Sequence, residues 1–400
     1  MANFERPTNF YHDAAIGVLM FISTLYFASN AVLLGALMLL AFRNHTLKIR
    51  KDKILIFVFT LIALANIFFH SAAFDFSQHA SSLTVVLIPI VAILAPRLRD
   101  TSLKIFVILT CCEIVVGIYE IYLGQIALTT AQTGLTELRM DNEHILLYNM
   151  RVLGLSNNSS VLSQKIFLSF LLLTAIPDMF KSRLVPLIFL VIGLVITFNR
   201  TTIIASIFLF LLVGVVRKEN LKRLPMIFAI GVISGLLIFM NLEIILKQLT
   251  RGTGGLTGSE LSRLYYWQQA VSSLMENPLL GNGSLTFRIV DPVTGTPQHA
   301  HNSFLSFTAT HGILTALPFF IYILINTRRE NWRFIISIFV FSISQYFIFW
   351  NLSVSDLILF WLLDSQYFRP MPLQNTGAAH SKHRRYSAAS HTQKASAIGP

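Results

Sequence analysis

The sequence predicts an all-α polytopic membrane protein of about twelve transmembrane helices, with one large loop on the outer face. Three observations carry that prediction. First, 54% of the 400 residues are hydrophobic and only 12% charged, with a mean hydropathy of +0.64; a soluble domain carries roughly 25% charge. Second, the apolar runs are continuous. The strands of a β-barrel would alternate, whereas a helix pairs its backbone polar groups within one segment, as hydrocarbon requires. Third, basic residues recur in short loops between the runs, the pattern of cytoplasmic loops. The net charge of +12 therefore reads as a topology signal. A phospholipid membrane is the expected partner and nucleic acid is not.

The runs fall near 13–28, 30–42, 54–69, 82–96, 104–123, 161–177, 184–199, 202–216, 224–241, 303–325, 334–350 and 353–363. Several are shorter than the ~20 residues of a full crossing, so flanking residues must contribute. The first two make either a hairpin turning at Ser29-Asn30 or one long tilted helix. Twelve spans put the basic loops RNHTLKIRKDK (43–53), RLRDTSLK (97–104), DMFKSR (178–183), RKENLKR (217–223) and RREN with Arg333 on one side. The tail with Lys382, Arg384 and Arg385 joins them. Eleven spans would move only the N-terminus. That N-terminus lacks the basic stretch and small-residue cleavage pattern of a secretory signal, so the first run is expected to be retained. The predicted organisation is a helical bundle over 1–365, including an outer loop at 242–300, and a disordered basic cytoplasmic tail at 366–400, too polar to bury a core. Cys111 and Cys112 are adjacent in an apolar run and suggest no disulfide framework.

Two longer segments face outward, 124–160 and 242–300. Within the second, LSRLYYWQQAVSSLMEN reads as an amphipathic helix at the membrane surface. It ends at NPLLGNGS, where Pro278, Gly281 and Gly283 mark a break and turns. Long loops on a rigid scaffold tend to carry binding chemistry.

Polar residues on this outer side are the candidates. Arg200 stands at the outer end of a span, against the topology signal. It either snorkels to the headgroups or clamps an anion, for which its planar donor fork suits phosphate oxygens. Arg263 lies in the surface helix, where a solvated face residue is the plainer reading. Arg251 and Arg288 are further basic candidates for substrate binding. Gly252 to Gly255 give flexibility beside Arg251 but lack the lysine and serine or threonine of a phosphate loop. His301, at the start of a span, is either a capping histidine or a general base, since a pKa near 6.5 suits proton removal from a hydroxyl. Asn302 and Ser303 are candidate caps. A zinc site on His299 and His301 lacks an evident third ligand, so no metal and no cofactor are predicted. His311, deeper in the span, reads as a packed polar residue. Glu113 and Glu120 share a helix face, and Glu120 is a candidate to orient the base or pair with an arginine.

Together these residues resemble the O-antigen ligase / O-antigen polymerase superfamily, over roughly 54–350. The family's R-x-x-x-L beside a span reads here Arg200-Thr-Thr-Ile-Ile204, with isoleucine for leucine. Its second arginine, ahead of a tryptophan and a Pro-Leu-Leu-Gly turn, is Arg263 in RLYYWQQAVSSLMENPLLGNG. Its H-x10-G element is His301 to Gly312. The resemblance implies a GT-C-like multi-pass enzyme of the bacterial inner membrane, with a periplasmic active site and a cytoplasmic C-terminus. The expected reaction is metal-independent, inverting glycan transfer from undecaprenyl diphosphate to a sugar hydroxyl. In an O-antigen ligase the acceptor is lipid A-core; in a repeat-unit polymerase of O-antigen, capsule or exopolysaccharide it is a second lipid-linked glycan. Arg200 and Arg263 would stabilise the leaving diphosphate, and His301 would take the acceptor proton. The residues point first to the ligase and next to the polymerase. A non-enzymatic glycan transporter or flippase would instead gather polar groups in broken helices near mid-membrane.

Overall fold

The computed structural model describes residues 7–25, 30–42, 50–70, 82–123, 152–156, 158–197, 199–216, 258–285, 287–292, 295–349 and 352–364. Its helices are α1 (Pro7–Ile22), α2 (Asn30–Ala41), α3 (Ile54–His70), α4 (Leu87–Leu94), α5 (Asp100–Leu123), α6 (Ser159–Ala175), α7 (Leu184–Thr197), α8 (Arg200–Val216), α9 (Gly258–Glu276), α10 (Ser303–Asn326), α11 (Trp332–Ser344) and α12 (Val354–Asp364). A small antiparallel hairpin, β1 (Ile289–Val290) and β2 (Pro297–Gln298), sets Ile289 opposite Gln298 and Val290 opposite Pro297. The chain divides into two units, Met1–Asp364 and Ser365–Pro400. The second unit, the run 224–241, the loop 217–223 and Arg251 lie outside the described residues.

All the other predicted runs contain a helix. The run 82–96 is not one continuous α-helix: 3-10 turns at Ser82–Val86 and Ala95–Arg97 flank α4. Pro89 and Pro96 fall in this run, and a proline supplies no N–H to continue an α-helix. The first two runs are separate helices, α1 and α2, packed on each other as a hairpin. Ser23 and Thr24 end α1 by donating their hydroxyls to the carbonyls of Met20 and Phe21.

Three helical stretches are long and apolar enough to cross a membrane: Lys51–His70, Asp100–Leu123 and Ser303–Asn326. The bundle buries polar side chains within a largely apolar interior and turns large apolar ones outward. Asp13, Asn66, Glu113, Glu120, Lys165 and Ser169 are buried, whereas Leu61, Phe68, Tyr122, Val195 and Leu324 point outward. Apolar side chains outside and polar ones inside suit a helical bundle solvated by lipid.

The two ends of the bundle differ in charge. At one end, Lys53 pairs with Asp364 at 2.8 Å, and Arg50 pairs with Asp364 and reaches Asn326 at 2.9 Å. Arg97 caps α2 by donating to the Leu40 carbonyl at 2.9 Å, and Arg99 lies 4.0 Å from Asp13 in α1. Lys104 sits over the Phe180 ring. Residues 50–53, the loops 97–104 and 178–183 and the one after Asn326 thus meet at one end, with the first half of α1. The opposite end gathers the last turns of α3, α5, α7 and α11 and the first turns of α8 and α10, where the candidate residues stand.

Candidate active site

The site is organised by a break in α10. Gly312 has φ 74° and ψ 167°, a conformation open only to glycine. The helix ladder is interrupted there, and the turn following α9 replaces the lost bonds. Ile313 N–H donates to the Pro278 carbonyl at 2.8 Å and Leu314 N–H to Leu279 at 3.1 Å. In return, Asn282 N–H donates to Ala309 at 2.8 Å and Ser284 N–H to Thr310 at 2.9 Å. Asn66 of α3 locks the turn from the other side, donating to the Leu280 carbonyl at 2.8 Å and to Ser284 Oγ at 3.0 Å. The PLLGNG turn and the distal glycine of the H-x10-G element are therefore two halves of one joint.

That joint fixes α9 against α10. Tyr266, Ala270, Ile289, Ala300 and Ala309 form one buried cluster between α9, the hairpin and α10. The Tyr266 hydroxyl donates to Asp291 in the hairpin, and burial with this bond pushes its pKa up to about 12, so it stays a donor. Arg263 lies one turn earlier in α9.

His301 stands in the short connection between β2 and α10 with φ 49°, a left-handed conformation uncommon outside glycine. Its ring centroid lies 6.0 Å from that of Tyr266. Burial first, and Arg263 second, push its imidazole down to about 4. The ring is neutral at pH 7, the form able to accept a proton. Asn302 is the N-cap of α10, its side chain accepting from Phe304 N–H and Leu305 N–H, both at 3.0 Å. Ser303, expected as a second cap, instead ties α10 to the segment after α11. It donates to the Gln345 carbonyl at 3.1 Å and accepts from Phe347 N–H at 2.8 Å.

The two histidines of the pair face different partners. One Arg288 guanidinium nitrogen lies against both ring nitrogens of His299. Guanidinium carries only donors, so His299 accepts and is neutral. Burial, then Arg288, then His301, push it down to about 3. Its other face meets Tyr346, with ring centroids 4.5 Å apart. Among the described residues no group of three His, Cys, Asp or Glu side chains gathers as a metal site.

Arg200 opens α8 at this same end. The next residue, Thr201, bonds Ser344 Oγ at 3.0 Å, and Gln345 accepts from Ser303. A short chain of hydrogen bonds thus joins the start of α8 to the start of α10. Glu120 bonds the backbone of segment 152–156. Buried at the end of α5, it accepts from the backbone N–H groups of Leu153 at 3.0 Å and Gly154 at 2.9 Å. Below it, Glu113 accepts from Leu155 N–H and the Ser156 hydroxyl and pairs with the buried Lys165. Val152 N–H donates to Ile196 at the end of α7. The two carboxylates hold segment 152–156 inside the bundle, and that segment braces the helix leading to Arg200.

Tyr266, Asp291, Tyr346 and Lys165 were not singled out from the sequence. Tyr266 was legible as the residue one turn from Arg263 on the same helical face. Tyr346 carries no such signal, because residues 345–349 are irregular. The chain matches no curated protein sequence. The family model described as O-antigen ligase matches residues 185–320, a narrower span than the motifs suggested. That span includes Arg200, Arg263, Arg288, His301 and the Gly312 joint and leaves out Glu120. Over this stretch, from α7 into α10, the match supports the O-antigen ligase/polymerase superfamily.

Proposed function

We propose that the protein transfers a glycan from undecaprenyl diphosphate to a sugar hydroxyl of lipid A-core at the periplasmic face of the inner membrane, as an O-antigen ligase within a GT-C-like bundle of about twelve spans. The observation that carries this reading is His301: strained, held neutral, and set beside Arg263 at the mouth of the bundle. A neutral imidazole removes the acceptor proton as the hydroxyl attacks the anomeric carbon. The bond to the diphosphate breaks as the new glycosidic bond forms, and the displacement inverts that carbon. Negative charge grows on the departing diphosphate, where the Arg200 and Arg263 guanidinium groups stabilise it. Arg251 and Arg288 add positive charge along the same loop, and Glu120 acts by holding segment 152–156. The proton leaves on His301, and no group has to act as a covalent nucleophile.

The test offers purified protein undecaprenyl-diphosphate glycan with either lipid A-core or a second lipid-linked repeat unit. Transfer to lipid A-core is expected. Transfer only to the repeat unit makes the protein a polymerase. No transfer to either, with folded protein, overturns the enzyme reading in favour of a carrier.

A further inference from the structure

Exposure along α10 changes at its glycine break. No large apolar side chain between Ser303 and Gly312 is exposed, whereas Ile313, Leu314, Leu317, Leu324 and Ile325 beyond it are. The turn after α9 arrives at the same level, held by the bonds from Ile313 N–H and Leu314 N–H to the Pro278 and Leu279 carbonyls. Leu279 is 62% exposed, and Leu280 beside it is exposed too. Asn66 of α3 bonds the Leu280 carbonyl, and within one further turn of α3 Phe68 and Phe69 point outward, Phe69 at 87%. Three segments thus present apolar side chains outward at one level of the bundle.

Past that level the surface changes character. α9 stands beside the first half of α10 and runs antiparallel to it: its last turn meets Gly312, while Tyr266, about three turns earlier, meets His301. The exposed face of α9 mixes Leu264, Val271 and Met275 with Gln268, Ser272 and Glu276. Asn277 and Asn282, at the two ends of the turn, are exposed as well. A carboxylate is costly in hydrocarbon, so Glu276 limits how far lipid can rise along α9. The turn itself has its backbone paired within the protein. The carbonyls of Asn277, Pro278, Leu279 and Leu280 accept from Gly281 N–H, Ile313 N–H, Leu314 N–H and the Asn66 amide. The amides of Asn282 and Ser284 donate to Ala309 and Thr310. In water such groups can be left to solvent. Irregular backbone at membrane depth is tolerated only where protein pairs it.

We propose that the edge of the bilayer's hydrocarbon meets the protein at the Gly281–Gly312 joint, with Phe68, Phe69, Leu279 and Leu280 set among acyl chains beside Ile313 and Leu314. Lipid is the occupant of this surface for three reasons. The surface continues into the outward Leu317, Leu324 and Ile325 of the same apolar span. The turn's backbone is already paired. Exposed polar side chains begin only on the α9 side of it. α9 therefore stands up from the lipid edge instead of lying along it, and the first half of α10 stands above the hydrocarbon with it. His301 and Arg263 are then placed on the water side of the edge. This goes beyond the glycan-transfer reading and does not depend on it.

Spin labelling of the full chain in phospholipid nanodiscs tests it, with Cys111→Ala and Cys112→Ala removing the native thiols. Labels on Phe69→Cys, Leu279→Cys, Ile313→Cys, Val271→Cys, Gln268→Cys and Leu264→Cys are compared for collision with oxygen, which concentrates in lipid, and with a nickel chelate, which stays in water. The logarithm of the oxygen-to-nickel ratio is expected to be positive at positions 69, 279 and 313 and negative at 264, 268 and 271. Should the thiol-free protein fail to fold, a photocrosslinking residue at position 279 or 268 of the otherwise natural chain replaces the labels, and lipid adducts are expected from 279 and not from 268. Equal ratios at 264, 271 and 279 describe a helix lying flat along the bilayer and overturn the proposal. Nickel access at 279 equal to that at 268 overturns it too, because the turn is then in water. Protection of 279 and 313 from both reagents, or protein adducts from 279, overturns it in favour of a second copy or another protein on this face. None of these readings uses glycan transfer, so an inactive protein with the expected depths removes the transferase reading alone.

Discussion

Gly281 and Gly312 meet backbone to backbone, so closely that a Cβ on either would overlap the amide nitrogen of the other. One belongs to the turn after α9 and the other to the break in α10, so this contact sets the distance between the helix of Arg263 and the helix that follows His301. The exchange of hydrogen bonds around it satisfies the carbonyls and amides that the break releases.

Gly312→Ala should therefore be among the most damaging single substitutions in the protein. The conformation alone costs about 1–3 kcal/mol for a residue with a Cβ, and the collision with Leu279 and Gly281 adds to it. Gly295→Ala is the control. That glycine has φ 65° but, among the described residues, nothing within 4 Å of where a methyl group would stand, so only the conformational cost of about 1 kcal/mol remains. Thermal unfolding of the two variants in detergent measures the difference.

The pH dependence of transfer should show an unusually acidic limb. Only neutral His301 accepts a proton, and its pKa is pushed down to about 4. The rate should hold from neutral pH down to the region of pH 4 and fall below it as the ring protonates. Burial is the larger cause and Arg263 the second, so Arg263→Gln should move the limb upward, though short of the ordinary histidine value of ~6.5. Profiles of kcat/KM for the two proteins check this; a limb that does not move separates Arg263 from His301.

Arg200→Ala should lower the transfer rate by about 10²–10³-fold, the usual effect of removing a group that meets developing charge. Arg200→Lys should recover part of that loss, since lysine keeps the charge but not the planar fork. Equal rates for wild type and Arg200→Ala, in protein that inserts normally, would return Arg200 to a headgroup anchor.

The buried pair Glu113–Lys165 invites a double substitution. Lys165→Met alone strands a carboxylate in the bundle and should cost about 3–5 kcal/mol. Glu113→Gln together with Lys165→Met removes both charges and keeps a carbonyl oxygen for Leu155 N–H, so most of that stability should return. Unfolding temperatures of the single and double variants give the coupling directly.

The amino-acid sequence by itself determined the helical class, the positions of the runs and the gathering of basic loops at one end, because hydropathy and charge act locally along a chain. It also picked out His301, Arg200 and Arg263 as candidates for one end of the bundle. What no local pattern contains is partnership across the bundle. Only the tertiary structure decided that Gly281 and Gly312 form one joint, since their contact joins segments whose hydrogen bonds are complete only when both are in place. It gave Glu120 to the backbone of Leu153 and Gly154. It also divided the histidine pair, turning His301 toward Arg263 and Tyr266 and His299 toward Arg288 and Tyr346. Residues two apart in an extended run share a side, and the left-handed backbone at His301 ends that run before the two rings can align.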